Sequence, residues 1–264
     1  MSRSTILRQR IKTIETIKKT TSAMRLISMS IHARLRNKKE ILEEYTQEIA
    51  HIRDQLQAQE NAAETPNYTA QQKIPVIILI GSQKGLCGTL NQELFKFAEQ
   101  TKNITAQSLI ITVGKYASDY VIRKGITPYA QFDKFSMNNY IHIAQQVTQL
   151  LITLDHPLVT VLSNKPRTFF VQKPHQQDLL ITYDAHAPAN LVNTIELMHI
   201  KVSIMYALHE ALYAEQAARF LSMDSSTRNA ETLLIQTKID YNKARQANIT
   251  RELTELSASS QLLD

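Results

Sequence analysis

The stretch of this sequence most suggestive of chemistry is Gly81-Ser-Gln-Lys-Gly-Leu-Cys-Gly88, which directly follows the apolar run Val76 to Ile80. Glycine-rich turns between a strand and a helix let backbone N–H groups converge on a phosphate. The spacing argues against that use. A dinucleotide turn runs G-x-G-x-x-G, whereas these glycines run G-x-x-x-G-x-x-G, and Gly114 ends the second apolar run where an acidic residue is needed. A triphosphate loop has Lys directly after its second Gly, but Lys84 here precedes Gly85. The segment reads as a structural turn shaped by Gly85, Cys87 and Gly88.

Other constellations fail in the same way. His209-Glu210 opens an H-E-x-x-H zinc pattern, but Tyr213 occupies the second His position. The remaining histidines are dispersed and read as surface or core residues, and Cys87 has no base nearby in sequence. No catalytic residue, metal or cofactor is expected. With a single cysteine no internal disulfide forms, and a reducing compartment is the natural setting.

Charge is the stronger signal. Residues 1–39 carry eleven Lys and Arg against Glu15 alone, a net +10 in a chain whose total is +6. Arg8, Arg10, Lys18 and Lys19 belong to this basic face. Such an arm suits an anionic partner: nucleic acid, a lipid surface or acidic protein loops.

The elements that carry these residues follow from the helix breakers. All five glycines and all seven prolines lie between Pro66 and Pro188, so each flank is free to form one long helix. The first flank repeats apolar residues at steps of three and four: Leu7, Ile11, Ile14, Ile17, then Met24, Ile27, Ile31, Leu35, then Leu42, Tyr45, Ile49, Ile52, Leu56. The rhythm is that of a coiled coil, interrupted at Lys18 to Ser22. The last flank runs through Leu191, Ile195, Met198, Val202, Met205, Leu208, Leu212, Ala218, Leu221, Ile235 and Ile239 to a seam at Ala244, Ala247 or Ile249, Leu253 and Leu256. It is expected to pair antiparallel with the first.

Between them, Pro75 to Ile80, Ser108 to Val113 and Leu158 to Leu162 read as buried strands, with helices after the first turn, over Tyr116 to Lys124 and over Asn138 to Leu154. Arg167 to Gln172 and Asp178 to Tyr183 read as two further strands joined by a Pro-containing turn. Alternating β and α signals imply an α/β fold with a mostly parallel sheet. The expected organisation is a helix over 1–65, a central α/β domain over 66–188 and a helix over 189–264, with a polar linker at Glu60 to Lys73. The longest unbroken apolar run is Val76 to Ile80, and the N-terminus lacks the apolar region of a secretory signal, so a soluble chain is expected.

The segment Tyr241-Asn-Lys-Ala-Arg-Gln-Ala-Asn-Ile-Thr-Arg-Glu-Leu-Thr-Glu-Leu256 closely resembles the C-terminal signature Y-N-K-A-R-Q-A-x-I-T-x-E-L-T-E of the gamma subunit of F-type ATP synthases. No packing rule dictates these polar identities. Lys19 to Met24 is similar to the family's K-I-T-x-A-M, with Thr20 in place of Ile, and Glu215 to Arg219 to its E-Q-A-A-R. The turn is similar to S-D-R-G-L-C-G-x-L-N, with Gln83 and Lys84 replacing Asp and Arg; Asp224 stands where the family commonly has Lys.

The resemblance implies a long antiparallel coiled coil joined to a Rossmann-like α/β domain. It implies a non-catalytic rotor shaft that couples ion flow through a membrane c-ring to ATP synthesis or hydrolysis in a ring of alpha and beta subunits, beside an epsilon subunit. By the same resemblance Met24, Arg219, Arg245, Gln246, Thr250 and Glu252 would contact that ring, and the complex would lie at the cytoplasmic face of a bacterial inner membrane. A coiled-coil scaffold unrelated to ATP synthesis predicts the same helices without the polar signature. A nucleic-acid binder lacks the interleaved aromatics and base-reading clusters on its basic arm.

Overall fold

The computed structural model describes residues 3–60, 75–101, 108–154, 158–181 and 191–260. The breaker-free flanks form α1 (Arg3–Glu60, 58 residues) and α5 (Leu191–Ser260, 70 residues). At about 1.5 Å per residue these helices run roughly 85 and 105 Å. The linker expected after Glu60 and the tail beyond residue 260 lie outside the described residues. Contacts divide the chain into two compact units, one of Ser28–Arg219 and one of Met1–Ile27 with Phe220–Asp264.

The larger unit is built on a five-stranded sheet. Its strands are β1 (Val76–Ile80), β2 (Leu109–Val113), β3 (Ala130–Phe132), β4 (Leu158–Pro166) and β5 (Gln172–Leu180), in the order β3-β2-β1-β4-β5. Only the β4 and β5 pair is antiparallel. The helices between strands are α2 (Leu90–Thr101), α3 (Lys115–Arg123) and α4 (Tyr140–Leu154). Alternate residues of β1 serve opposite faces, as the pleat requires. Ile77 and Leu79 pack with Leu94 and Ala98 of α2 and with Ala117 and Val121 of α3. Val76, Ile78 and Ile80 join Ile143, Val147 and Leu151 of α4 and Ile200, Ile204, Leu208 and Leu212 of α5 in the main core. Each such Ile or Leu contributes about 1.5–3 kcal/mol by leaving water.

That packing explains a composition that unbroken apolar runs did not reveal. α5 contains a stretch long and apolar enough, at a hydropathy of 1.2, to cross a membrane. Ile200, Ile204, Ala207, Leu208, Ala211 and Leu212 of this helix lie in the main core with the sheet.

Three sequence expectations change. The stretch Arg167 to Val171 is the tip of the β4 and β5 hairpin rather than a strand, closed by backbone bonds from Arg167 N to Val171 O and from Val171 N to Thr168 O. Phe169 turns its ring edge-on to His32, at 4.9 Å between centroids, instead of joining a ladder. Pro174, expected in a turn, lies within β5 opposite Asn164, which an edge strand tolerates because one side of its backbone needs no ladder donor. The three-residue β3 was not anticipated.

The seam of α1 also differs. Its buried and half-buried positions recur at Leu7, Ile11, Ile14, Lys18, Thr21, Arg25, Ser28, His32, Leu35, Lys39, Leu42, Thr46, Ile49, Arg53 and Leu56, an unbroken alternation of four and three. Ile17 and Ile27, expected in the seam, are 48% and 59% exposed. No interruption occurs at Lys18 to Ser22, because the polar residues there have partners.

In the smaller unit those partners come from α5. Lys18 pairs with Glu231 at 2.8 Å, Thr227 donates to Thr21 at 2.8 Å, Arg25 pairs with Asp224 at 2.7 Å and Lys238 with Glu15 at 3.3 Å. On α5 the matching seam is Met223, Thr227, Ala230, Leu234, Thr237, Tyr241, Ala244 and Asn248. Asn248 donates to Ser4 at 3.2 Å, so the two helices run antiparallel, as expected.

Candidate functional site

β1 is flanked by β2 on one side and β4 on the other, so its C-terminal end is the point where strand order reverses. In open α/β sheets the crevice at that point is the usual ligand site. Here the Gly81–Gly88 turn leaves β1 at this position, and its groups are used internally. Ser82 N donates to Asn91 Oδ1 at 3.1 Å, Asn91 Nδ2 donates to Ser82 Oγ at 2.7 Å, and Gln83 Oε1 accepts from Phe135 N at 3.1 Å. Gly81 N donates to Val113 O at 2.9 Å, fastening the turn to the end of β2. Gly114 permits that approach: its φ is +88°, and a Cβ would lie 2.3 Å from the Gly81 carbonyl oxygen.

The basic group at this turn comes from α5. Arg219 donates through Nη2 to the carbonyl of Lys84 at 3.1 Å and through Nε to the carbonyl of Gly85 at 3.3 Å, and it also pairs with Glu215. The turn therefore presents acceptors to a guanidinium, the reverse of an anion cradle. Arg219 is 6% exposed and Glu215 3%, while Cys87, Leu90 and Ala218 pack beside them. Burial pushes the Glu215 carboxyl up, against the opposing pull of Arg219. Burial likewise raises the Cys87 thiol, which Asn91 Nδ2 approaches at 3.5 Å. Cys87 thus stays a protonated packing residue. Gly88 (φ +62°) is left-handed, as is Leu86 (φ +64°), whose side chain is 56% exposed.

The His209-Glu210 pair separates. His209 Nε2 bonds the Leu35 carbonyl at 3.1 Å, and Glu210 lies between Lys165 at 3.3 Å and Lys39 at 3.9 Å, with Tyr206 donating to it at 3.1 Å.

The expected contact residues fall in two groups. Arg219, expected at a partner surface, has its guanidinium committed inside the larger unit, because the turn's carbonyls and Glu215 need a buried cation. Arg245, Gln246, Thr250 and Glu252 are all exposed on the smaller unit's α5, off the Thr237–Tyr241–Ala244–Asn248 seam. Arg8, Arg10 and Lys19 are exposed on α1, whereas Lys18 is half-buried against Glu231 and Met24 is half-buried.

The structure places a second line on α5 away from the seam that the sequence predicts for it. Ile235, Ile239, Asn242, Gln246, Ile249, Leu253 and Leu256 also alternate by four and three, about half a turn away from the packed seam. The five apolar members are 64%, 44%, 44%, 60% and 66% exposed. Ile235, Ile239, Ile249, Leu253 and Leu256 were all expected to pack inward; the seam instead follows Leu234, Thr237, Tyr241, Ala244 and Asn248.

Comparison with known proteins decides what this arrangement belongs to. The ATP synthase family model matches residues 4–263. The chain belongs to the ATP synthase gamma-chain family. Among curated relatives, the ATP synthase gamma chain of Chlorobium limicola is 25% identical over 283 residues, covering 97% of each chain, and that of Rickettsia akari 26% identical over 286 residues, covering 99% of each. The fold is similar to a chain of the Euglena gracilis mitochondrial ATP synthase OSCP/F1/c-ring assembly in rotational state 3, with a TM-score of 0.73, 16% identity, and 98% of this chain and 94% of that one covered. It is also similar to a chain of the Tetrahymena thermophila central stalk and c-ring, with a TM-score of 0.58, 19% identity, and 78% and 98% covered. As a gamma-chain family member it is a non-catalytic central-stalk subunit of an F-type ATP synthase, a membrane-associated complex.

Proposed function

We propose that this gamma-family chain turns as the shaft inside a ring of alpha and beta subunits, with its sheet unit resting on a c-ring beside an epsilon subunit. The three segments 1–65, 66–188 and 189–264 then serve as shaft helix, base and shaft helix. The complex would stand at the cytoplasmic face of a bacterial inner membrane.

The observation that carries this reading is the outer surface of α5 in the smaller unit. Arg245, Gln246, Thr250 and Glu252 are exposed beside the apolar side chains of Ile235, Ile239, Ile249 and Leu253, which are 44% to 64% exposed. Exposed apolar side chains set among polar ones suit a protein surface that is met and released. Its chemistry is uneven around the helix, so partners on different sides meet different groups. Rotation can then bias each partner between conformations through differential contact energy, as conformational coupling requires. On α1, exposed Arg8, Arg10 and Lys19 would face acidic loops of the ring.

Co-expression with alpha and beta subunits tests this. The expected result is one complex in which ATPase activity depends on this chain. A chain that purifies alone, with an active or absent ring unaffected by it, would support the scaffold reading instead.

A further inference from the structure

The apolar core holds α5 against the sheet but acts without direction, whereas a fork of hydrogen bonds resists sliding and turning. Arg219 supplies such a fork at the last residue of the larger unit, seven residues beyond Leu212, the last α5 residue in the main core. Both carbonyls it holds belong to the turn that leaves the central strand β1. That turn is itself bound to the sheet by Gly81 N to Val113 O at 2.9 Å and to α3 by Tyr116 N to Ser82 O at 3.2 Å. A twist applied to α5 thus reaches the middle of the sheet through backbone bonds. The buried ion pair with Glu215, one helical turn earlier, holds the planar guanidinium in orientation toward the turn.

We propose that Arg219, oriented by Glu215, is the torque-transmitting joint between the shaft helix α5 and the sheet: a positioning residue whose fork closes on the turn that leaves the central strand. The inference rests on the rotor reading and adds to it a residue through which the rotation passes.

The test uses the assembled complex, with the alpha and beta ring fixed to a surface and catalysis stopped by omitting nucleotide. A bead is attached through Arg123→Cys on α3 in a Cys87→Ser background, and its angular fluctuation is recorded. Arg219→Ala is expected to widen the angular variance about two-fold or more. Arg219→Lys keeps the charge for Glu215 but cannot fork to two carbonyls, and is expected to fall between. Arg228→Ala, a 77% exposed arginine on the same helix, is the control and should change nothing. Variance unchanged in both Arg219 variants would overturn the joint while leaving the rotor reading intact. Failure of the parent chain to enter the ring would overturn the rotor reading itself. If neither Arg219 variant enters the ring while Arg228→Ala does, Arg219 serves folding alone and the joint is overturned.

Discussion

Arg25 Nη1 lies 2.7 Å from Asp224 Oδ1, bridging α1 and α5 across 199 residues of sequence. Arg228 adds a second cation at 2.7 Å to the other carboxylate oxygen. The Arg25 hydrogen bond is the main cause that holds the Asp224 carboxyl below the usual carboxylate range. Asp224 is therefore not a stray substitution in the gamma pattern but one half of a seam contact. Asp224→Lys should lower the melting temperature by a few degrees through like-charge repulsion with Arg25. Arg25→Glu in the same chain should restore most of it, and 1 M salt should shrink both effects. Equal losses in the single and double variants would show that the pair contributes nothing.

Buried histidines give the larger unit an acid limit. His209 is fully buried, its Nδ1 has no hydrogen-bond partner among the described residues, and burial, with Lys39 and Lys38 nearby, pushes its pKa down to about 4 from an ordinary 6.5. The folded state thus favours the neutral ring. Its contribution is complete above pH 6.5 and is lost as pH falls from 6.5 toward 4, up to about 3 kcal/mol in total. His209→Gln, which can still donate to the Leu35 carbonyl, should flatten melting temperature against pH across that window. An unchanged slope would place the acid sensitivity elsewhere, with His199, also near 4 through burial and Arg53, as the next group to replace.

Gly114→Ala should destabilise the larger unit by about 2–3 kcal/mol, since a Cβ would strike the Gly81 carbonyl at a φ that L residues avoid. Gly88→Ala shares the positive φ but meets open space, so its cost should be smaller. Urea unfolding of the two variants distinguishes them; equal midpoints would contradict the steric account.

Much of this architecture was legible in sequence, and the failures have physical causes. The strands β1, β2 and the start of β4 announced themselves as Val, Ile and Leu runs because they are buried on both faces. The register of α1 was not legible, because its seam accepts Lys18, Thr21 and Arg25 wherever α5 offers Glu231, Thr227 and Asp224. Choosing apolar residues there slips the seam by one or two positions, onto Ile17 and Ile27. Thr168-Phe-Phe-Val171 has strand composition, but Phe169 finds the His32 ring instead of a ladder. Arg219 lies in a stretch where Ala214, Ala217 and Ala218 are buried, and three alanines so close together signal tight packing on more than one face. The exposed group Arg245, Gln246, Thr250 and Glu252, proposed to face the ring, was legible only through the family signature, since an exposed polar residue carries no local mark of purpose.

Arg245 separates a contact from a solvated surface. As a solvated residue its loss would change stability by no more than about 0.5 kcal/mol. As a desolvated fork on a ring subunit it is worth about 1.5–3 kcal/mol in the assembled state. Arg245→Ala should leave the free chain's melting temperature unchanged yet weaken assembly or slow ATP turnover roughly ten-fold. Arg245→Lys should recover only part of that. Normal turnover in Arg245→Ala would remove this residue from the contact set.

The most direct measurement of the shaft role is rotation itself. The alpha and beta ring is anchored, a bead is fixed to the sheet unit at an introduced cysteine on α3, and ATP is supplied. The expected record is unidirectional turning in discrete, equally spaced steps. A complex that hydrolyses ATP at full rate while the bead only fluctuates in place would contradict the account.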